Sequence, residues 1–126
     1  MLYVNEILGA SFCLFSVILG AFASHYLKKV IPDSGIQSFE VGVRYLMYHG
    51  LVLMIIPQFY LDVNPLVFHF FIAGTCIFSS SIFLLSIKSL IKINLNWLGP
   101  LTPIGGGILI IAWIFLLIEL IDPFLN

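Results

Sequence analysis

Between Glu6 and Lys28 the chain carries no acid and no base except one histidine, a stretch of roughly 20 residues, enough for a helix to cross ~30 Å of hydrocarbon. The pattern recurs three times: Tyr45 to Leu61, Leu66 to Ile87 and Thr102 to Ile118 are also without Asp, Glu, Lys or Arg. With 61% hydrophobic and only 9% charged residues, the inventory cannot clothe a water-exposed surface, for which about 25% charged is usual. The bilayer must therefore act as solvent for most of the chain. The 126 residues allow one domain. The expected fold class is an all-α membrane protein, a bundle of four transmembrane helices at approximately 5–28, 35–61, 65–88 and 102–121.

Local signals mark the turns. Residues 1–6 lack the basic region of a secretory signal, and the apolar run that follows is too long for one, so the first helix is expected to stay in the membrane. Ser16, Gly20 and Ser24 recur at every fourth position, a small-residue stripe that suits close helix packing within the monomer. Pro32 turns the chain, and Ser34 with Gln37 fits a capping box at the start of the second helix. Glu40 and Arg44 stand one helical turn apart in the favourable order, and Pro57 should kink the far end. Asn64-Pro65 and Thr102-Pro103 each read as an N-cap followed by a first-turn proline, and Asp122-Pro123 as a stop. Cys13 and Cys76 lie in apolar runs and read as small packing residues rather than a disulfide.

The basic residues give an orientation. Lys28, Lys29 and Arg44 flank the first connection and Lys88 and Lys92 the third, whereas the second connection and both termini carry only acids. Four spans put the first and third connections on one side. The positive-inside rule makes that side cytoplasmic and both termini extracytoplasmic.

Against this background the segment Arg44–His49 is anomalous. Tyr45 and His49 are one turn apart and share a face, with Arg44 and Tyr48 on the adjacent stripe. An imidazole in lipid is costly, so that face should turn inward and find a hydroxyl; Ser79, Ser80 and Ser81 lie at a similar depth by the 1.5 Å rise per residue. The inference is a cytoplasm-facing polar crevice lined by His25, Tyr45, His49, the three serines and the turn from Thr102 through Gly105 and Gly106. Arg44 would sit at the headgroup boundary, with its chain reaching out to water. The duller reading gives these groups to helix packing: a satisfied structural His49, serines bonded to their own helix, and a peripheral His69.

Four ordered segments, Gly20–Lys28, Phe39–His49, Gly74–Ser81 and Leu98–Gly106, resemble the YgdD/YwdK-like family of small membrane proteins, the domain of unknown function 423. The resemblance covers nearly the whole chain and implies a four-helix protein of the bacterial cytoplasmic (inner) membrane without an assigned biochemical role. The chain departs from the family pattern at Ala23-Ser24, Leu46 and Ala112.

Two function classes follow. One is binding or transport of a small solute, ion or lipid group at the crevice. The other is a structural or assembly role beside another membrane protein or a second copy, with the polar residues serving helix packing. A net charge of −1 argues against nucleic acid as a partner. There is no Cys-x-x-Cys and no His/Cys set at zinc spacing, and no nucleophile–base–acid constellation is evident. His25 and His49 as haem ligands would differ in depth by roughly 8 Å. The expectation is no metal, no cofactor and no catalytic set, with the bilayer as the one certain partner.

Overall fold

The computed structural model describes residues 3–59, 62–91 and 93–125. Among them there are four long helices and no strand. Helix α1 is Val4–Val30, α2 is Asp33–Ile55 with a 3-10 turn at Ile56–Gln58, α3 is Pro65–Ser86, and α4 is Leu101–Leu125. All four are long and apolar enough to cross a bilayer. The large side chains they leave uncovered, such as Leu14, Phe15 and Ile18 on α1 and Ile110, Ile114 and Leu117 on α4, make sense only against lipid.

The helix ends follow local chemistry, with three departures from expectation. Asn64 caps α3 by accepting the Leu66 N–H at 2.9 Å, with Pro65 in the first turn, and Pro57 converts the end of α2 to 3-10. Ser34 does not form a capping box. Pro32, extended at ψ 156°, is already the N-cap and its carbonyl takes the Ile36 N–H, so Ser34 falls inside the first turn. Thr102 is likewise inside α4, which starts at Leu101. Asp122-Pro123 does not end α4; a proline in a last turn forgoes a single backbone bond, and the helix runs on to Leu125. The expected end of α2 at Leu61, and Lys92, lie outside the described residues. A π-helical turn at Ala23–Leu27 interrupts α1, with the Lys28 N–H reaching back to the Ala23 carbonyl. It keeps Ala23 and Leu27 buried together with Ile31 and Phe39.

Packing runs in chain order, α1 on α2, α2 on α3 and α3 on α4. In hydrocarbon apolar side chains gain nothing by meeting one another, so the interfaces depend on close backbone approach and on polar groups. A Cβ on Gly9 would lie 2.5 Å from the Gly50 carbonyl oxygen, one on Gly42 2.4 Å from Ile82, and one on Gly105 2.5 Å from the Phe78 nitrogen. Each interface is thus closed on a glycine. Of the stripe on α1 only Ser16 is buried, donating to the Val43 carbonyl at 2.8 Å; Gly20 is half-buried and Ser24 faces out. The closest approach between α1 and α2 lies two turns away, at Gly9. Cys13 and Cys76 are free thiols; Cys13 packs over Gly50, and Cys76 is exposed rather than a packing residue.

Two apolar clusters result. One, near Lys28 and Lys88, joins Ala23, Leu27, Ile31 and Phe39. The other joins Leu53, Val67, Phe71, Leu109 and Ala112 deeper in the bundle. The buried polar groups, Ser16, His49, Thr75, Ser79, Ser81 and Ser86, are spread along the bundle.

Gly105→Ala forces α3 and α4 apart and is expected to cost about 1–3 kcal/mol. Gly107, whose added Cβ would meet nothing within 4 Å, is expected to accept alanine with no loss or a gain of up to about 1 kcal/mol from helix propensity. Unfolding of both variants by SDS titration from detergent micelles measures the contrast.

Candidate functional site

His49 is buried on α2 and both of its ring nitrogens are engaged. Trp113 Nε1, an indole N–H that can only donate, lies 3.1 Å from His49 Nε2. Nε2 must therefore be the bare nitrogen, and Nδ1 carries the proton that it donates to the Tyr45 carbonyl oxygen at 2.7 Å. The neutral Nδ1–H tautomer satisfies every polar atom of the pair. An imidazolium would set a second N–H against the indole N–H. Phe71 and Trp113 hold the ring, at centroid distances of 5.8 and 6.0 Å, and Tyr45 lies 5.9 Å away on the other side.

The expected serine partners go elsewhere. Ser79 donates to the Gly42 carbonyl at 3.1 Å, Ser80 to the Cys76 carbonyl of its own helix, and Ser81 shares a 2.8 Å bond with Thr102. The reason is depth. Reckoned from the helix ends that share a side, His49 lies roughly 24 Å into α2 from Asp33, but Ser79 only roughly 10 Å into α3 from Ser86. Arg44, placed by the sequence at the headgroup boundary, is already several turns along α2. Trp113, roughly 18 Å into α4 from Leu101, is near the right level. An indole in mid-span needs an acceptor, and that need was the available signal for this partner.

In place of the single crevice expected from sequence there are two neighbouring hollows between α2, α3 and α4. The first, about 600 Å³, opens between the start of α2, the end of α3 and the start of α4, and is lined by Ser34, Ser38, Ser86, Lys88, Ser89, Asn96 and Thr102 among others. The second, about 810 Å³, is apolar and lies farther along, lined by Tyr45, Tyr48, His49, Phe78, Pro103, Gly106, Gly107, Ile110 and Trp113 among others. No residue lines both, but Ile82 and Thr102 of the first stand one turn and one residue from Phe78 and Pro103 of the second.

The candidates therefore separate. Tyr45, Tyr48, His49 and Gly106 come together at the groove, with the Tyr45 and Tyr48 rings tilted against each other at 5.9 Å. Thr102 borders the crevice and braces α3 through Ser81. Gly105 is buried beneath Phe78 as a packing contact, and Ser79 and Ser80 line neither hollow. Arg44 and His25 are exposed outside both, Arg44 bordering a shallow depression between α1 and α2 with Ser16 and Gly20. His69 is exposed and bonded to the Pro65 carbonyl at 2.7 Å. No group of three or more His, Cys, Asp or Glu suited to a metal ion occurs among the described residues.

Comparison with known proteins is consistent across nearly the whole length. Residues 19–106 match the family described as a protein of unknown function (DUF423). The UPF0382 membrane protein YwdK of Bacillus subtilis is 38% identical over 119 residues, covering 89% of this chain and 91% of that protein. The UPF0382 membrane protein SAB0533 of Staphylococcus aureus is 40% identical over 116 residues, covering 89% and 90%. The UPF0382 membrane protein SH2409 of Staphylococcus haemolyticus is 38% identical over 117 residues, covering 90% and 91%. No solved structure matches the chain.

A double-mutant cycle of His49→Ala and Trp113→Phe is expected to return a coupling of about 0.6–1.7 kcal/mol, the range for hydrogen bonds between membrane helices. Nitrogen-15 NMR of the parent should show the Nδ1–H tautomer, and Trp113→Phe, which leaves the Tyr45 carbonyl in place, should keep that tautomer while shifting the Nε2 resonance as its hydrogen bond is lost.

Proposed function

The chain belongs to the DUF423 family of membrane proteins, and we propose that it binds a lipid group, with the polar end in the crevice and an apolar chain in the groove. The observation that carries this reading is the succession of the two hollows along α2 and α4: hydroxyls, an amide and an ammonium line the one nearer the helix starts, and aromatic and aliphatic side chains line the one farther along. That is the profile of an amphiphile lying along the bundle. The groove volume of about 810 Å³ falls in the usual range of ~300–1,000 Å³ for small-molecule sites. Gly106 and Gly107 leave its α4 wall smooth, and His49 with Trp113 forms its deep end. Both nitrogens of His49 are engaged within the protein, so the imidazole offers a chain only its carbon edge. This favours binding by shape over proton exchange.

The structural reading keeps one supporting observation. Ser16, Ser79, Ser81 and His49 all form bonds that cross helix interfaces, which is what polar residues serving helix packing would do. A stoichiometric membrane-protein partner recovered in mild detergent would turn the choice toward it.

The test uses Trp113 as reporter, with Trp97→Phe removing the second indole, in bilayers doped with lipids brominated along one acyl chain. Bound lipid should quench Trp113 well above the level set by its bulk mole fraction. Gly107→Phe, whose Cβ meets nothing within 4 Å and whose ring would occupy the groove, should return quenching to the bulk value. Quenching that follows bulk composition in the parent would count against the groove as a site.

We further propose that the end bearing Lys28, Lys29 and Lys88 faces the cytoplasm, on the distribution of basic residues. With Cys13 and Cys76 replaced by alanine, Ser89→Cys should react with a membrane-impermeant maleimide in inverted vesicles and not in intact cells. The reverse pattern would invert the orientation.

A further inference from the structure

We infer that the crevice selects a lipid whose head is an anionic phosphate ester bearing hydroxyls, in preference to a zwitterionic head. This rests on the lipid-binding reading above and concerns which head group the site accepts.

Among the described residues Lys88 is the one ionic side chain in the lining, and no carboxylate accompanies it there. Asp33 and Glu40 are exposed and are not lining residues. The same lining carries the hydroxyls of Ser34, Ser38 and Ser89 and the amide of Asn96. Ser86 and Thr102 are already committed, to the Ile82 carbonyl at 2.6 Å and to Ser81 at 2.8 Å. The uncommitted groups are therefore an ammonium and neutral donors that can also accept from a hydroxyl. An ammonium is a compact phosphate partner, and the serines match a polyol that both gives and takes hydrogen bonds. The rim adds to this, since two helix N-termini, those of α2 and α4, face one C-terminus, that of α3. A choline or ethanolamine head would bring its own cation beside Lys88 with no carboxylate in the lining to receive it. A lipid is the source of that phosphate in this proposal because an apolar groove suited to a chain lies next along α2 and α4.

Brominated phosphatidylglycerol and brominated phosphatidylcholine, each titrated over the same range of mole fractions in bilayers holding the Trp97→Phe protein, provide the test. Phosphatidylglycerol is expected to quench Trp113 at lower mole fraction by about fivefold, the factor a single lysine supplies near a bilayer surface. Lys88→Gln should bring the two lipids within about twofold of each other, and Lys88→Arg should restore most of the preference. Lys28→Gln, at an exposed position outside the crevice, should leave it intact. Equal loss in Lys28→Gln and Lys88→Gln would overturn the inference by assigning the effect to general surface charge. Equal quenching by both lipids, still abolished by Gly107→Phe, would overturn the head-group selection while leaving the groove as a lipid site. Quenching unchanged by Gly107→Phe would remove the groove itself, and the inference with it.

Discussion

The structure depends on how helices adhere when their solvent is hydrocarbon. Leucine against leucine gains nothing over leucine against an acyl chain, so the interfaces must be made of close backbone contacts and hydrogen bonds. That explains why glycines stand where helices cross and why buried hydroxyls reach for carbonyls of the neighbouring helix. Gly42 combines both: it admits Ile82 and Phe83 of α3 where a side chain would exclude them, and its exposed carbonyl receives Ser79. Aromatic and aliphatic bulk, twelve phenylalanines included, then fills the remaining interior or faces lipid.

A layered order of packing would leave α2 and α4 related only through α3. The Trp113–His49 bond adds a direct tie between them. Because it lies deep in the span, it draws α2 and α4 together at that level, while the starts of both helices stand apart around the crevice. The groove is thus closed at one end by a polar lock and open at the other. The same bond uses the valence of the imidazole completely, so the most conspicuous polar residue of the chain helps to shape a cavity while keeping its nitrogens within the protein.

The four spans were legible because hydropathy reports the solvent of a segment directly, and Asn64-Pro65 because a cap and a first-turn proline act through adjacent residues. Features that depend on two helices meeting were less accessible. Nothing in Gly9 or Gly50 alone distinguishes them from Gly20, yet the former pair makes the close contact. The π-helical turn at Ala23–Leu27 adjusts which residues of α1 face α2, and its residues carry no proline or glycine to mark it. Placing His49 opposite the serines fails because the residue lies deeper than that: the helix starts at Asp33, roughly 24 Å away along the axis. Counting from the capped ends separates Gly42, the true neighbour of Ser79, from His49 by two turns.

The distinction between a charge and a helix boundary bears on where recognition occurs. Arg44 looked like the natural anchor for an anionic group because it is the cation nearest the buried polar segment in sequence. On a helix that begins at Pro32–Asp33 it lies outside both hollows, toward α1. Lys88, which in the sequence serves only to orient the chain, stands in the crevice because α3 ends two residues earlier, at Ser86, and releases the chain across the mouth between α2 and α4. Helix termination, more than proximity in sequence, decides which cation reaches the crevice.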